Sequence, residues 1–198
     1  DCVQDLEMGA EAPELQVFPQ SDFRLPTSLA EGFLYDCVEL FRGSGNWSSC
    51  HAEHGLFVHE GFEQNRSKLF FKDLADDSTF HEVMALAHRR VVREWHAGPP
   101  CLTYGTLRRP RLRDVNHPEV FNPHEPLTAA HNLLARRVAM VGAIAILTGV
   151  YFSCEQPGSS VMFRLHCFKV LVQLGCVITR MAFCNFGSAF AFSPLLLK

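Results

Sequence analysis

The sequence has no CxxC pair, no surplus of basic charge and no histidine–cysteine spacing of a standard zinc motif, and each absence excludes something. Without CxxC pairs, the eight cysteines (Cys2, Cys37, Cys50, Cys101, Cys154, Cys167, Cys176 and Cys184) make neither a redox motif nor a zinc ribbon. Several lie in apolar runs such as VYFSCEQ and MAFCNF, which suits buried free thiols in a reducing intracellular compartment better than a secreted disulfide framework. A formal charge of −3 rules out binding a polyanion by net charge alone, so any nucleic-acid contact has to come from a local basic patch. Cys50, His51, His54, His59 and His96 match no zinc spacing, and no metal is expected from them. No signal-peptide pattern opens the chain, and it begins at Asp1 rather than Met, as expected of a processed product or a piece of something longer.

What is present describes a globular domain. The 198 residues are 47% hydrophobic and 20% charged, a composition that can bury a sizeable core. Residues 1–32 carry acids and three prolines and are expected to be a weakly ordered N-terminal segment; 33–190 form the domain, and 191–198 an apolar tail. FLYDCVELF reads as a buried strand, RGSGNWSSCHAEHGL as a glycine turn and helix, and LFVHEGFE as a second strand. FHEVMALAHRRVVREW reads as one helix, with Phe80, Val83, Met84, Ala87 and Val91 on a shared face. WHAGPPC is a strand end and loop, followed by a proline-rich basic excursion, a long helix over LTAAHNLLARRVAMVGAIAILTG, a strand at VYFSCEQP, a helix ended by Gly175 and a last strand and turn. The alternation predicts an α/β fold: a Rossmann-like, mostly parallel sheet with helices on both faces. The 17 residues Val138–Cys154 lack charge, but Gly149 divides helix formers from strand formers, which predicts a core helix and strand rather than a membrane span.

Three places could carry chemistry. In ELFRGSG, a glycine turn after a buried strand allows close backbone approach to a ligand, and the following helix aims N–H groups at it. Glu63, at the end of the next predicted strand, is placed to accept from ribose hydroxyls. Cys101 follows two prolines that preset its loop, and Arg108, Arg109, Arg111 and Arg113 follow within the next positions, where they would favour a thiolate. Glu155 follows an apolar strand, where partial desolvation would raise its pKa toward proton sharing.

ELFRGSG, a downstream acid, GPPC, EQPGSS and a late FCNFGS, in this order on alternating elements, resemble the cytosine-C5 DNA methyltransferases. More closely, the chain resembles compact methyltransferase-like domains of phages and mobile elements, and the resemblance covers about residues 33–190. The resemblance implies a class I methyltransferase fold using S-adenosyl-L-methionine. Phe41, Gly43 and Gly45 match the cofactor loop, Glu63 the ribose-binding acid and Pro100 a further cofactor contact. Asp73 is the first choice for the acid near the adenine amino group, with Asp76 and Asp77 as rivals. Cys101 matches the nucleophile that adds to C6 of a flipped-out cytosine, and Glu155 the acid that holds N3. Arg108, Arg109, Arg111 and Arg113 would contact DNA phosphates.

The resemblance also implies a nuclear or host-cell cytoplasmic protein and no membrane partner. The chain reads as C-terminally truncated, with a larger polypeptide or a partner expected to supply late motifs. It departs from the pattern at Leu102, Gln156 and Ala189. Two other readings remain: a catalytically degenerate relative that binds nucleic acid or a partner chain through the arginines, and a membrane-associated subunit.

Overall fold

Among the described residues, five strands form one sheet in the order β1-β2-β3-β5-β4. The structure, a computed structural model, describes residues 32–63, 72–105, 109–119, 125–180 and 194–197. In chain order the elements are β1 (Tyr35–Leu40), α1 (Asn46–Glu53), α2 (Asp77–His88), β2 (Val92–Ala97), α3 (Pro126–Leu147), β3 (Tyr151–Pro157), a 3-10 turn (Met162–Arg164), α4 (His166–Gln173), β4 (Ile178–Arg180) and β5 (Pro194–Leu197).

β1, β2 and β3 run parallel, with Leu40 opposite Ala97 and Ala97 opposite Cys154. Their carboxyl ends therefore share one edge of the sheet. Val38, Leu40, Trp95, Ala97, Phe152 and Cys154 are buried in the core that α3 covers. α2 and α4 pack beside α3, while α1 lies against the other face, where its Ser48 bonds Glu39 and its Trp47 stacks on His96. The chain is thus a Rossmann-like α/β domain with a mostly parallel sheet and helices on both faces, as its alternating pattern predicts.

Close packing of α3 on β3 rests on Gly142. A Cβ there would lie 2.8 Å from the Phe152 ring, so only glycine lets the helix approach this strand. α3 is long and apolar enough to cross a membrane, and it is the helix on which the core is built. The charge-free run ends this helix at Leu147, turns at Gly149 (φ 73°) and enters β3, so it divides where the sequence suggested.

Three expectations need correction. The single helix expected from Phe80 to Trp95 is two elements: α2 ends at His88, Arg90 takes a positive φ of 53°, and Val92–Ala97 is the central strand β2. Val92 and Trp95 bury more completely as strand residues paired to β1 and β3 than a continued surface helix would allow. The second strand expected around residues 56–63 is reduced to two parallel bridges beside β1, Cys37 to Val58 and Leu40 to Phe62, because Gly61 bends the chain at φ 83°. Finally, Pro194–Leu197 is not a trailing tail. It is β5, antiparallel to both β3 and β4 and inserted between them. A leucine run opened by proline suits a short interior strand, since proline is tolerated at a strand's first residue. The expected N-terminal segment, the late FCNFGS motif and Ala189 lie outside the described residues.

Candidate active site at the carboxyl edge of the sheet

The edge is assembled by backbone hydrogen bonds that follow from parallel register. β1 runs into the glycine turn, and the Gly98 N–H, just past β2, donates to Leu40 O at 3.1 Å. This holds the glycine turn against the GPPC loop. Phe41 adopts φ 64°, a left-handed conformation that is rare outside glycine and occurs here where the chain leaves the strand. Gly43 and Gly45 follow at φ 53° and 74°. A Cβ on Gly43 would meet nothing nearer than Phe41 O at 3.8 Å, so this backbone lies open to a ligand. At Gly45 a Cβ would lie 2.8 Å from Arg42 Nε.

Glu63 joins the same turn: its carboxylate accepts the Gly43 N–H. The acid predicted for ribose is therefore at the glycine loop, brought there by the Leu40–Phe62 bridge beside β1. The Lys72 N–H donates to Glu63 O at 2.9 Å, which returns the chain to this point directly before Asp73. Asp73 Oδ1 accepts from the Ala75 N–H at 2.8 Å. Its rivals differ in their surroundings. Asp77 is held by the Arg137 guanidinium, and Asp76 stands at the N-cap of α2.

Cys101 is exposed on a firmly anchored loop. Its carbonyl accepts from the Tyr104 N–H at 2.9 Å and the Gly105 N–H at 3.0 Å. Tyr104 is buried and donates toward His131 O and Asn132 Oδ1, and its own carbonyl accepts from the Val161 N–H. From the opposite side, Gln156 Nε2 donates to Pro99 O at 2.6 Å, and its Oε1 accepts from Ser160 Oγ at 2.9 Å. Pro100 lies between that anchor and Cys101. The EQP and GPPC stretches are thus locked together through Gln156, one of the positions at which the sequence departs from the pattern it resembles.

Glu155 sits at the end of β3, close enough to Gly98 that a Cβ there would meet its Oε1 at 3.5 Å. Burial raises its pKa, and the Glu39 carboxylate on β1 raises it further. Cys101 and Glu155 therefore share the edge that carries the glycine turn and Glu63. Glu39 escaped the sequence reading. Buried on β1, it accepts from both the backbone N–H and the hydroxyl of Ser48 at the first turn of α1. Burial raises its pKa against these hydrogen bonds. An acid inside an apolar-looking strand, nine residues before a helix-start serine, was its only signal.

The four arginines divide. Arg108 lies outside the described residues. Arg109 and Arg111 are exposed. Arg113 is 4% exposed and is not available to phosphate, contrary to the sequence reading. Its guanidinium donates to Thr103 O and Oγ1, Pro118 O, Glu119 O, Thr128 O and Asn132 Oδ1, and lies 3.9 Å from the Tyr104 ring centroid. Every donor has an internal acceptor, so Arg113 ties the basic excursion to α3 and to the loop of Cys101.

Fold and edge together define a Rossmann-like α/β protein whose candidate site gathers a glycine turn, two acids and an exposed thiol. Among solved structures, the chain is similar to the S. pombe Dnmt2 methyltransferase, at 10% identity and a TM-score of 0.43. The match covers 82% of this chain and 48% of that one, so this chain spans about half the length of that structure. No protein-family model and no curated protein matches the chain.

Proposed function

We propose that the chain transfers a methyl group from S-adenosyl-L-methionine to C5 of cytosine in DNA, with Cys101 as nucleophile and Glu155 as the acid at N3. The observation that carries this reading is the meeting of the GPPC and EQP stretches at one sheet edge, joined by Gln156 and Pro99, beside the glycine turn that Glu63 closes. Open glycine backbone next to a carboxylate suits a ribose-bearing cofactor. Phe41, Gly43, Gly45, Glu63 and Pro100 would hold it, with Asp73 toward its adenine, and its sulfonium supplies an electrophilic methyl group.

The chain's own residues account for the rest. The Cys101 thiolate adds to C6 of a cytosine turned out of the helix, and the ring's electron pair moves toward N3. Glu155, kept protonated to higher pH by burial, shares its proton with N3 and stabilises that charge. C5 then carries the electron density that attacks the methyl group. Loss of the C5 proton to a base expels the thiolate and frees the product. Arg109 and Arg111 would meet DNA phosphates near the target, with Arg113 holding their loop from inside. The test is methyl transfer from labelled cofactor to mixed-sequence DNA. Wild-type protein should label the DNA, and Cys101→Ser should not. Labelling that survives in Cys101→Ser overturns the assignment.

A further inference from the structure

On the α1 face of the sheet, Cys37, His51 and Glu94 each offer a ligand atom within 4.8 Å of the other two. The cluster is built from three elements. Cys37 and Glu94 are direct register partners on the parallel strands β1 and β2, so both side chains rise from the same face. His51 comes down onto them from the last turn of α1. We propose that these three residues form a binding site for a divalent cation of the zinc class, with a fourth coordination position open to water.

Four features support the assignment. A thiolate, an imidazole and a carboxylate are a donor set that suits zinc. In a tetrahedral site with bonds of about 2.0–2.3 Å, ligand atoms lie roughly 3.5 Å apart, so side-chain movements of about 1 Å close the cluster around an ion. The His51 ring is already oriented, because its Nδ1 lies 2.8 Å from Trp47 O. Donation to that carbonyl leaves Nε2 with the lone pair a metal requires, the usual arrangement behind a metal-bound histidine. Charge also balances: a thiolate and a carboxylate neutralise a dication at the buried end of the site, where Cys37 is 1% exposed. Binding forms the sulfur–metal bond and releases the Cys37 proton to solvent. Access comes from the Glu94 side, which borders a cavity of about 560 Å³ shared with Tyr151, Ser153, Ile146 and Leu174.

The site lies below the carboxyl edge and is independent of the methyl-transfer reading. An ion here would clamp α1 to β1 and β2, and so fix the helix that follows the glycine turn. The sequence hid it because the ligands come from two strands and a helix, with no local spacing to betray them.

The experiment is titration of the full chain with Co²⁺, followed by the sulfur-to-cobalt charge-transfer absorption and the visible bands of a tetrahedral site, then displacement by Zn²⁺. Wild type and Cys50→Ser should bind one ion per chain with sulfur coordination. Cys37→Ser should lose the charge-transfer band, and His51→Gln and Glu94→Gln should each weaken binding by about 100-fold or more. If Cys37→Ser does not fold, His51→Gln, altered on the partly exposed helix, decides the matter. A cobalt spectrum unchanged in the folded Cys37→Ser or His51→Gln variant, one that vanishes in Cys50→Ser, or no binding by wild type overturns the proposal.

Discussion

Gln156 reaches from the end of β3 to the loop after β2, and its Nε2 donates to Pro99 O at 2.6 Å. This one side chain joins the two stretches that carry the candidate chemistry. It is 2% exposed, and its second atom is engaged by Ser160. Replacing it with leucine leaves the buried Pro99 carbonyl without its donor, and the Ser160 hydroxyl, which still accepts from the Met162 N–H, without an acceptor for its own proton. Gln156→Leu should lose about 1–3 kcal/mol of stability in urea denaturation. Methyl transfer should fall with it, while Asp73→Asn, away from the Pro99 contact, should leave stability nearly unchanged.

Arg113 and Arg111 stand two residues apart and should behave as different kinds of residue. Arg113→Ala removes a guanidinium that satisfies six acceptors and should cost about 2–5 kcal/mol of stability. Arg111→Ala should change stability by no more than about 0.5 kcal/mol. It should instead weaken DNA binding alike at every sequence and flatten the salt dependence by roughly 0.9 log units of slope. Denaturation curves and binding isotherms at several salt concentrations separate the two.

The raised pKa of Glu155 gives a signed pH effect. Folding favours the protonated form, so the folded chain holds more protons than the unfolded one between the ordinary glutamate value and the raised one. Its contribution is fully present below the unfolded pKa and is lost as pH rises through the folded pKa. Glu155→Gln removes this dependence. Its stability relative to wild type should therefore increase with pH above about 4.3, the unfolded glutamate value, and then level off. Urea denaturation of both proteins from acid to neutral pH measures this. A relative stability that declines over that range would show that the carboxylate is stabilised rather than desolvated.

Gly142 tests the packing that holds β3 in place. Alanine is the better helix former by about 1 kcal/mol, yet its Cβ would overlap the Phe152 ring. Gly142→Ala should destabilise the protein by about 1–3 kcal/mol, because overpacking outweighs propensity. Gly142→Ala combined with Phe152→Leu should recover part of the loss in thermal unfolding.

The sequence carried the elements whose signals are local. β1, α3 and β3 announce themselves by apolar runs bounded by glycine and proline. The division of the charge-free run at Gly149 was legible for the same reason. β2 was not, because Val91 continues the helical spacing of Phe80, Val83, Met84 and Ala87 by one position. Only pairing to β1 and β3 reveals that Val92 and Trp95 belong to a strand. β5 was hidden because four residues become a strand only when two non-local neighbours supply the hydrogen bonds. At the candidate site, residue types and order pointed to one edge. The division of the arginines did not show, since an arginine that will be enclosed by Thr103, Tyr104 and Asn132 looks like any other in a basic run. Glu39 and the Cys37–His51–Glu94 cluster depend on strand register and on the docking of α1, which no sequence spacing encodes.

The most direct test of the account is covalent trapping. DNA carrying 5-fluorocytosine blocks loss of the C5 substituent after methyl transfer, so a cysteine that adds to C6 stays attached to the base. In the presence of S-adenosyl-L-methionine, the wild-type chain should form a denaturant-resistant protein–DNA adduct that maps to Cys101 by mass spectrometry and is missing from Cys101→Ser. A wild-type protein that binds this DNA and the cofactor yet forms no adduct, or an adduct that persists in Cys101→Ser, would contradict the account.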